Sequence, residues 1–398
     1  MITVEEATQI IAQTAKDTSV AIVPLHHSVG RVLREDLFAD RDFPPYHRIT
    51  MDGIAIRYDA FEKGEKTFPI EGVAAAGAPQ LTMQHDTACL EVMTGAILPN
   101  NTDTVIRYED LLIENGRATL QVPQLTRGQN VHNKGEDRLQ NSLVVKKGKI
   151  ISPAEIGVAA TVGKSEIKVS RLPKAIIIST GDELVEIDET PLAHQIRKSN
   201  VHRLRSTFSK YGIQADTHHL NDDWDEILQQ LKNILEEYEI VMLSGGVSKG
   251  KFDFLPKALE ELGVEKLFHK IKQRPGKPFW FGQAPSGATV FALPGNPVSS
   301  FMCTQVYFVP WLRQSLQLPL ENPPHAILQR NTIFKPDLVY FLQVKISYNN
   351  QGQILAMPVD GNGSGDLANL VDADAFLRLP RGRDEFKEGE VFPIIFYR

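Results

Sequence analysis

The stretch that decides the fold is KAIIISTGDEL, residues 174–184. Residues 175–178 form a continuous apolar run, the pattern of a β-strand that is buried on both faces of a sheet. The residues that follow are polar and include Gly181, as expected of a loop at the end of the strand. A buried strand that ends in a polar loop is typical of an α/β protein with a parallel sheet, in which ligands bind beyond the carboxyl ends of the strands.

Strands and helices alternate around this stretch, from about residue 171 to about residue 315. The predicted strands are short apolar runs between turn residues, at 174–178, 213–220, 239–243, 279–282 and 289–293. The predicted helices carry apolar residues at helical spacing, at 200–211, around the stripe 227–235, and at 254–262 and 298–312. The alternation predicts a doubly wound, three-layer α/β domain over residues 171–315.

Helical patterns also occur near the start of the chain. Thr3 and Glu6 form a capping box ahead of an apolar stripe, so a helix is predicted there. Apolar residues recur at helical spacing in residues 28–39, and a further helix is predicted over residues 153–162. These stretches predict a helical and linker domain composed of residues 1–43 and 138–170.

Two further regions have the pattern of β-structure. In residues 44–137, short apolar runs are separated by clusters of Gly, Pro and Asn, which predicts a β-rich module inserted into the helical and linker domain. Residues 319–324 have the proline content of a linker. Residues 325–398 follow it and predict a small C-terminal β-domain.

The composition excludes several classes of protein. The chain has 398 residues, is 42% hydrophobic and carries a net charge of −6, unlike a nucleic-acid binder with a strongly basic face. Two distant cysteines, Cys89 and Cys303, indicate neither a disulfide framework nor a cysteine-based zinc site. No signal peptide or membrane-spanning run is recognisable, so we expect a cytoplasmic protein without nucleic-acid or membrane partners.

Polar, glycine-rich segments follow the predicted strands of the α/β domain. They lie at residues 179–184, 221–223, 244–253, 274–278 and 293–297. Any one of them could be an ordinary turn, because strand ends always need turn residues. Loops that follow neighbouring parallel strands gather at one edge of the sheet, so the set predicts a single binding site there.

The segment SGGVSKGKFD, residues 244–253, has the composition of an anion-binding loop. Glycines let backbone N–H groups approach an anion, and the helix that follows offers its positive end. The segment nearly matches the P-loop pattern, but Phe252 stands where that pattern needs the hydroxyl that holds Mg²⁺. We therefore expect a phosphate-binding loop of another kind, and not an NTPase.

Charged residues in these loops indicate the chemistry of the site. The carboxylates that could bind Mg²⁺ together with substrate phosphates are Asp182, Glu183, Asp222 and Asp253. Asp222 and Asp253 could equally be ordinary residues at the start of a helix. Arg274 and Lys277 offer positive charge to a phosphate or another oxyanion, although Arg274 could be a surface charge without a role.

Motifs of other enzyme classes are absent from the sequence. It contains no HExxH, no GxSxG and no GxGxxG after a predicted strand. The histidine pairs at 26–27 and 218–219 lack the spacing of a helical metal site, so we predict that they are surface or core residues.

The strand-end loops resemble, in order, the signature loops of the molybdopterin molybdenumtransferases, the family of the bacterial MoeA proteins and the gephyrin E-domain. The segments that carry the resemblance are STGDEL (179–184), SGGVS (244–248), PGKP (275–278) and LPGNPVS (293–299). Earlier segments are similar to family motifs too, namely PP (44–45), TMDG (50–53), MTGA (93–96), NV (130–131) and GED (135–137). The resemblance therefore spans nearly the whole chain.

The resemblance implies an elongated, four-part subunit whose α/β part is a molybdopterin-binding domain. It implies a homodimer with the active cleft between the α/β domain of one subunit and the β-rich module of its partner. The implied reaction inserts molybdenum from molybdate into adenylylated molybdopterin and releases AMP with the help of Mg²⁺. The upstream adenylyltransferase is a further candidate partner.

The resemblance also implies roles for individual residues. Pterin and phosphate binding is implied for Thr180, Gly181, Ser244, Gly245, Gly246, Ser248, Pro294, Gly295 and Asn296, with Thr94 and Asp137 from the partner's β-rich module. Catalysis is implied for Asp182, Glu183, Asp253, Asp52 and Lys277. Mg²⁺ binding is implied for Asp182, Glu183, Asp222 and Asp253. Molybdate binding is implied for Arg274, Lys277, Ser299 and Ser364.

The chain departs from the family pattern at several positions. Lys249 and Lys251 replace an apolar and an acidic residue, which makes the glycine loop more basic. The family often carries arginines around residues 337–346, where this chain has Leu338 and Gln343.

Two other functions remain open from the sequence. An enzyme that adenylylates molybdopterin uses the same type of α/β domain, but such proteins usually lack the flanking β-modules. A non-enzymatic scaffold, which the gephyrin relationship permits, needs no cluster such as Asp182, Asp253 and Lys277.

Overall fold

The computed structural model describes residues 1–246, 254–319, 322–361, 363 and 365–398. The chain begins with α1 (Val4–Gln13), β1 (Val20–Pro24) and β2 (Leu37–Phe38). The capping box predicted for α1 is present, because Thr3 Oγ1 accepts from the Glu6 N–H at 3.1 Å and Glu6 Oε2 accepts from the Thr3 N–H at 2.7 Å. A capping residue of this kind stabilises a helix by about 1 kcal/mol.

A β-rich module follows. Its elements are β3 (Arg48–Ile49), β4 (Gly53–Ile56), α2 (Tyr58–Glu62), β5 (Thr67–Ala74), β6 (Cys89–Val92), β7 (Thr104–Arg107), β8 (Leu111–Glu114), β9 (Arg117–Leu120) and β10 (Val131–His132). Its main sheet has the strand order β7-β4-β6-β5-β9-β8, and β3 pairs with β10 at the entry to the module. The short apolar runs at residues 53–56 and 104–106 thus lie in strands, as predicted, and the run at 118–122 overlaps β9.

The chain then returns to the first part through β11 (Leu143–Val145), α3 (Pro153–Thr161) and β12 (Glu166–Ser170). Strand β11 pairs with β2, and β12 pairs with β1. The helix predicted over residues 28–39 is wrong. Val32 and Leu33 instead form bridges to Ile150 and Val169, because the apolar side chains of this stretch are buried against extended backbone and Gly30 adopts a φ of 78°.

The α/β domain is built on one mixed sheet. In chain order its elements are β13 (Ala175–Thr180), β14 (Leu184–Val185), β15 (Ile196–Arg197), α4 (Ser199–Ser209), β16 (Asp216–Leu220), α5 (Trp224–Glu237), β17 (Ile240–Ser244), α6 (Leu255–Glu261), β18 (Glu265–His269), β19 (Gln273–Arg274), β20 (Trp280–Gln283), β21 (Thr289–Leu293), α7 (Pro297–Cys303) and α8 (Val309–Ser315). The strand order is β16-β13-β17-β21-β20-β18. The first four strands in this order are parallel to one another, and β20 is antiparallel to both of its neighbours, β21 and β18.

The helix predicted over residues 298–312 is present, but its α-helical hydrogen bonding is interrupted. A π-helical turn at Thr304–Phe308 separates α7 from α8. Pro310 lies in the first turn of α8 and has no N–H to donate, so the regular hydrogen-bond ladder cannot run through this point.

Both faces of the sheet in the α/β domain are covered, which confirms the predicted three-layer arrangement. Ile177, Met242 and Phe291 pack on the side of α4 and α7, whereas Ile178 and Leu243 pack on the side of α5 and α6. Adjacent residues of a strand point to opposite faces, so a strand buried on both sides needs an apolar run such as residues 175–178. Among the described residues, no helix combines the length and the apolar character needed to cross a membrane.

The C-terminal part is a β-barrel. Its elements are β22 (His325–Leu328), β23 (Thr332–Ile333), β24 (Val339–Tyr348), β25 (Ile354–Pro358), α9 (Asn369–Asp372), β26 (Ala375–Leu379), β27 (Glu385–Phe386) and β28 (Val391–Phe396). The order β24-β25-β22-β28-β26 closes on itself because β26 also pairs with β24. Strand β19 of the α/β domain pairs with β24 in parallel, with Arg274 opposite Tyr340, and thereby joins the two parts.

Candidate active site

A cavity of about 1020 Å³ opens between the carboxyl ends of the parallel strands and the C-terminal barrel. Most of the site residues expected from the sequence line it. They are Thr180, Gly181, Glu183, Asp222, Ser244, Gly245, Gly246, Arg274, Lys277, Pro294, Gly295, Asn296 and Ser299. Segments that are up to 119 residues apart in the sequence, from position 180 to position 299, therefore meet at one site.

The register of the sheet brings these segments together. Ser179 of β13 lies opposite Ser244 of β17, and Ser244 lies opposite Leu293 of β21. Because the three strands end at the same level, the loops that follow them lie side by side. The Gly245 N–H donates to the Leu293 carbonyl at 3.2 Å and ties two of these loops directly.

Glycine is required where the loops approach one another. Gly245 and Gly246 have φ values of 104° and 66°, in the region that favours glycine. A Cβ on Gly246 would lie 2.7 Å from Cδ1 of Leu255, and one on Gly245 would lie 3.1 Å from Oγ1 of Thr180. A side chain at either position would therefore push the glycine loop away from its neighbours.

Asn200, at the start of α4, is a cavity residue that sequence reasoning missed. Its Nδ2 donates to Oγ of Ser244 at 3.0 Å and to the carbonyl of Gly295 at 2.7 Å. One amide therefore cross-links the loops after β17 and β21. The only signal in the sequence was its position at the beginning of a predicted helix, beside the strand ends.

Four cationic residues line the cavity, namely Arg197, Lys198, Arg274 and Lys277. Arg274 and Lys277 are exposed and form no ion pair within the described part of the chain. Lys198, which was not predicted, is more buried, with 10% of its side chain exposed, and its Nζ lies 2.5 Å from Oε1 of Glu186. Unpaired cations in a cleft attract an anionic ligand, and an arginine can hold an oxyanion with two parallel hydrogen bonds.

The predicted carboxylates are only partly brought together. Glu183 packs against the α-carbon of Gly181, where a Cβ would lie 2.4 Å from Oε2 of Glu183. Asp182 does not line the cavity, whereas Asp222 does. The two residues are in contact, because Oδ1 of Asp182 accepts a hydrogen bond from the N–H of Asp222 at 3.3 Å. In the residues that the structure describes, no group of three or more His, Cys, Asp or Glu side chains is arranged to hold a metal ion.

The second wall of the cavity comes from the C-terminal barrel, the part of the chain to which the family resemblance assigns Ser364 and the region of residues 337–346. Its residues are Leu338, Tyr340, Phe341, Gln343, Val359, Gly361, Gly363 and Asn369. Tyr340 stacks on Phe334 with 4.2 Å between ring centroids, and the guanidinium of Arg274 lies 5.9 Å from the Phe334 ring. Burial raises the pKa of Tyr340. This wall is neutral at the place where the family resemblance leads one to expect arginines.

A serine and a histidine are also paired at the edge of the cavity. Oγ of Ser179 lies 2.9 Å from Nδ1 of His219, which is opposite it in the ladder. Burial, and then the charge of Lys198, lower the pKa of His219. The sequence predicted that His218 and His219 are surface or core residues without a role in the site. His219 nevertheless contacts Ser179, which lines the cavity.

Three predicted site residues lie elsewhere in the chain. Asp52, Thr94 and Asp137 belong to the β-rich module and do not line this cavity. The N–H of Thr94 donates to Oδ1 of Asp52 at 2.6 Å, and this hydrogen bond lowers the pKa of Asp52. Asp137 lies 3.0 Å from Nε2 of His132. Ser248, Asp253 and Ser364 lie outside the described residues.

Comparison with known protein families covers nearly the whole chain. Residues 2–163 match the family model described as "MoeA N-terminal region (domain I and II)". Residues 176–314 match "Probable molybdopterin binding domain", and residues 325–397 match "MoeA C-terminal region (domain IV)". The matches confirm the resemblance that the strand-end loops indicated.

Individual relatives are similar over their full length. The chain is 38% identical to a molybdopterin molybdenumtransferase of Synechocystis sp. over 396 residues, which cover 99% of both chains. It is 30% identical to one of Staphylococcus aureus strain Mu50 over 402 residues, 99% of this chain and 95% of the relative. A crystal structure of the molybdopterin biosynthesis MoeA protein from Pyrococcus horikoshii OT3 superposes with a TM-score of 0.83 at 26% identity and covers 100% of both chains.

Proposed function

Because the chain belongs to the molybdopterin molybdenumtransferase (MoeA) family, whose members are transferases of molybdenum cofactor biosynthesis, we propose that it inserts molybdenum from molybdate into adenylylated molybdopterin and releases AMP. One structural observation supports this proposal most directly. A single cavity joins the glycine loops at the strand ends to the unpaired cations Arg274 and Lys277. Such a cavity offers phosphate-binding backbone and oxyanion-binding side chains at the same site.

The size of the cavity suits the substrate. A volume of about 1020 Å³ is at the upper end for small-molecule sites, which typically span about 300–1,000 Å³. A pterin joined to a nucleotide through two phosphates needs a site of this size. The stacked Tyr340 and Phe334 give the barrel wall an aromatic surface beside it.

We assign roles by position in the cavity. Gly245, Gly246 and Gly295 hold the phosphates with backbone N–H groups, since glycine lets the backbone come close to an anion. Arg274 and Lys277 bind molybdate and neutralise negative charge as the nucleotide leaves.

The residues fit a Mg²⁺ ion that binds together with the substrate. Mg²⁺ usually keeps several waters and uses one or two carboxylates plus substrate phosphates, so it does not need a complete cage of protein ligands. Asp182 and Asp222 are in contact, and Glu183 faces the cavity beside them. These carboxylates would hold the ion, which supplies positive charge at the phosphates.

A homodimer would complete the site. Asp52, Thr94 and Asp137 do not line the cavity of their own chain, so they can contribute to a cavity only if a partner subunit supplies them. Phe38 and Leu143 lie opposite each other in the β2–β11 ladder and are 52% and 45% exposed. An exposed apolar pair on a short ribbon is suited to burial against a second copy of the chain.

The reaction is proposed to take place in the cytoplasm. This proposal rests on molybdenum cofactor synthesis as the shared function of the relatives. Cell fractionation with an antibody to the chain would test the location.

The reaction is tested by AMP release. Purified protein with adenylylated molybdopterin, Mg²⁺ and molybdate should release AMP, and a Lys277→Met variant should release it at least about 10-fold more slowly, since a charge-assisted contact contributes about 1.5–3 kcal/mol. Lys232→Met, an exposed lysine on α5, is the matched control and should behave like the wild type.

Two results would contradict the proposal. The first is no AMP release alongside an active relative. The second is consumption of ATP with metal-free molybdopterin, which would make the chain an adenylyltransferase.

A further inference from the structure

Arg203 of α4 is a buried cation that has no carboxylate partner in the described part of the chain. Its Nε and Nη1 atoms are buried and have no hydrogen-bond partner among the described residues, and it forms no ion pair with any of them. Its guanidinium lies over the ring of Phe301, 5.2 Å from the centroid. Burial lowers the pKa of Arg203 to about 10, so it is charged at neutral pH.

The guanidinium lies directly behind the cavity wall. Nη2 of Arg203 donates to Oδ1 of Asn200 at 2.8 Å and to Oγ of Ser300 at 2.7 Å. Asn200 in turn binds Ser244 and the Gly295 carbonyl, and it lines the cavity. Arg203 is therefore one hydrogen bond away from the residue that cross-links both phosphate loops.

The buried charge of Arg203 is unfavourable unless something compensates it. Moving a charged group out of water is strongly unfavourable unless an opposite charge or a set of hydrogen bonds compensates. Two of the three guanidinium nitrogens lack a partner among the described residues, although the net charge of the chain is −6. An anion bound in the cavity would supply the missing opposite charge when the protein is at work.

We propose that Arg203 is a positioning residue, whose buried guanidinium holds Asn200 and Ser300 in place and balances the charge of an anionic group of the ligand at the Ser244 and Gly295 loops. The inference rests on the proposed function, because it requires an anion in this cavity. The anion could be the nucleotide phosphate or the molybdate, which share the chemistry of a tetrahedral oxyanion.

The test compares charged and neutral ligands. Binding of AMP, molybdate and adenosine is measured by calorimetry for the wild type, Arg203→Met and Arg203→Lys. Arg203→Met should weaken AMP or molybdate roughly 10-fold, as expected for a charge several ångströms away at an effective dielectric of about 20, and leave adenosine unchanged. Arg203→Lys should recover most of this affinity. Arg205→Met, an exposed arginine on the same helix, should change none of the three.

The outcomes separate the inference from its premise. A larger loss for AMP than for molybdate places the phosphate nearest Arg203, and the reverse places molybdate there; both support the inference. Equal losses for adenosine and the anions, with a lower melting temperature, would show a structural role only and overturn it. Unchanged anion binding in Arg203→Met would overturn it as well. A wild-type protein that binds neither anion would contradict the proposed function itself.

Discussion

Gly181 allows the carboxylate of Glu183 to pack against its α-carbon, because glycine has no side chain. Its φ of 121° and the contact of Glu183 with its α-carbon leave no room for a Cβ. A Gly181→Ala variant should therefore displace the Glu183 carboxylate from the cavity. A shift of about 1 Å in a reacting group can lower the rate about 100-fold, so we expect a fall of this order in kcat/KM for AMP release.

The matched control for this change is Gly157→Ala. Gly157 lies in α3, has open space where a Cβ would be placed, and has ordinary helical backbone. The change should raise the free energy of unfolding by about 0.5–1 kcal/mol and leave kcat/KM unaltered. Equal activity of both alanine variants would show that Glu183 has no part in the reaction.

His219 should make the folded protein sensitive to mild acid. Its pKa is lowered in the folded state, mainly by burial, so the folded protein binds fewer protons than the unfolded chain between the folded pKa and the ordinary value of about 6.5. Stability from this residue is fully present above pH 6.5 and is lost as the pH falls through the folded pKa. Urea denaturation at pH 7.5 and at pH 5.5 measures the difference.

A His219→Asn variant should lose less stability than the wild type between these two pH values. His218→Asn, at the exposed neighbouring position of β16, is the control and should keep the wild-type response. If both variants keep it, another group is responsible for the acid sensitivity.

Strand β19 and the loop that follows it carry two of the cavity cations, Arg274 and Lys277. Nε2 of the fully buried Gln273 donates to the Gly276 carbonyl at 2.9 Å, and the hydroxyl of Tyr307, in the π-helical turn, donates to Oε1 of Gln273. The loop that presents Arg274 and Lys277 is thus fastened to the helical layer below it.

A Gln273→Leu variant should loosen this loop. It leaves the Tyr307 hydroxyl buried without a partner among the described residues, and it leaves the Gly276 carbonyl with only the weak thiol donor of Cys303, 3.8 Å away. An unsatisfied buried polar group costs about 1–3 kcal/mol, so the free energy of unfolding should fall by about this amount and molybdate should bind more weakly. Gln283→Leu is the control, because Nε2 of Gln283 already lacks a partner among the described residues. Denaturant titration and calorimetry give both quantities. Wild-type molybdate affinity in Gln273→Leu would show that the loop is fixed by other contacts.

At the scale of elements, the sequence predicted those structures whose patterns are local. The apolar run at 175–178 corresponds to β13, and the stripe at 227–235 corresponds to α5. A strand that is buried on both faces has a continuous apolar run, whereas a helix that is buried on one face has apolar residues three or four positions apart. The helix predicted over residues 28–39 was wrong because their apolar spacing also suits extended backbone that pairs with distant strands. Strand β18, with Glu265 and Lys266 in its first half, was missed because its edge position tolerates polar residues.

The same division applies to the site. The loops after β13, β17 and β21 were predicted together, since neighbouring parallel strands end at one edge. The contributions of Tyr340 and Asn369 could not be predicted, because they depend on how the barrel docks through β19. Asn200 was missed for a similar reason: its function is a set of contacts with Ser244 and Gly295, which lie 44 and 95 residues further along the chain.

On the scale of the whole molecule, we predict a homodimer held in part by the β2–β11 ribbon. Sedimentation of the wild type should give twice the mass of one chain, and the double variant Phe38→Glu, Leu143→Glu should give a monomer with reduced AMP release, because the partner's Asp52 and Thr94 no longer reach the cavity. Ile333→Glu, at a 68% exposed position in the barrel, is the control and should remain a dimer. A fully active monomer would contradict both the dimer and the role of the β-rich module.

The most direct test of the central claim is a crystal structure of the protein soaked with AMP and molybdate. We predict that the AMP phosphate lies against the backbone of Gly245 and Gly295, and that molybdate lies within hydrogen-bonding distance of Arg274 or Lys277. Density for both ligands only outside this cavity, for example in the β-rich module, would contradict the account.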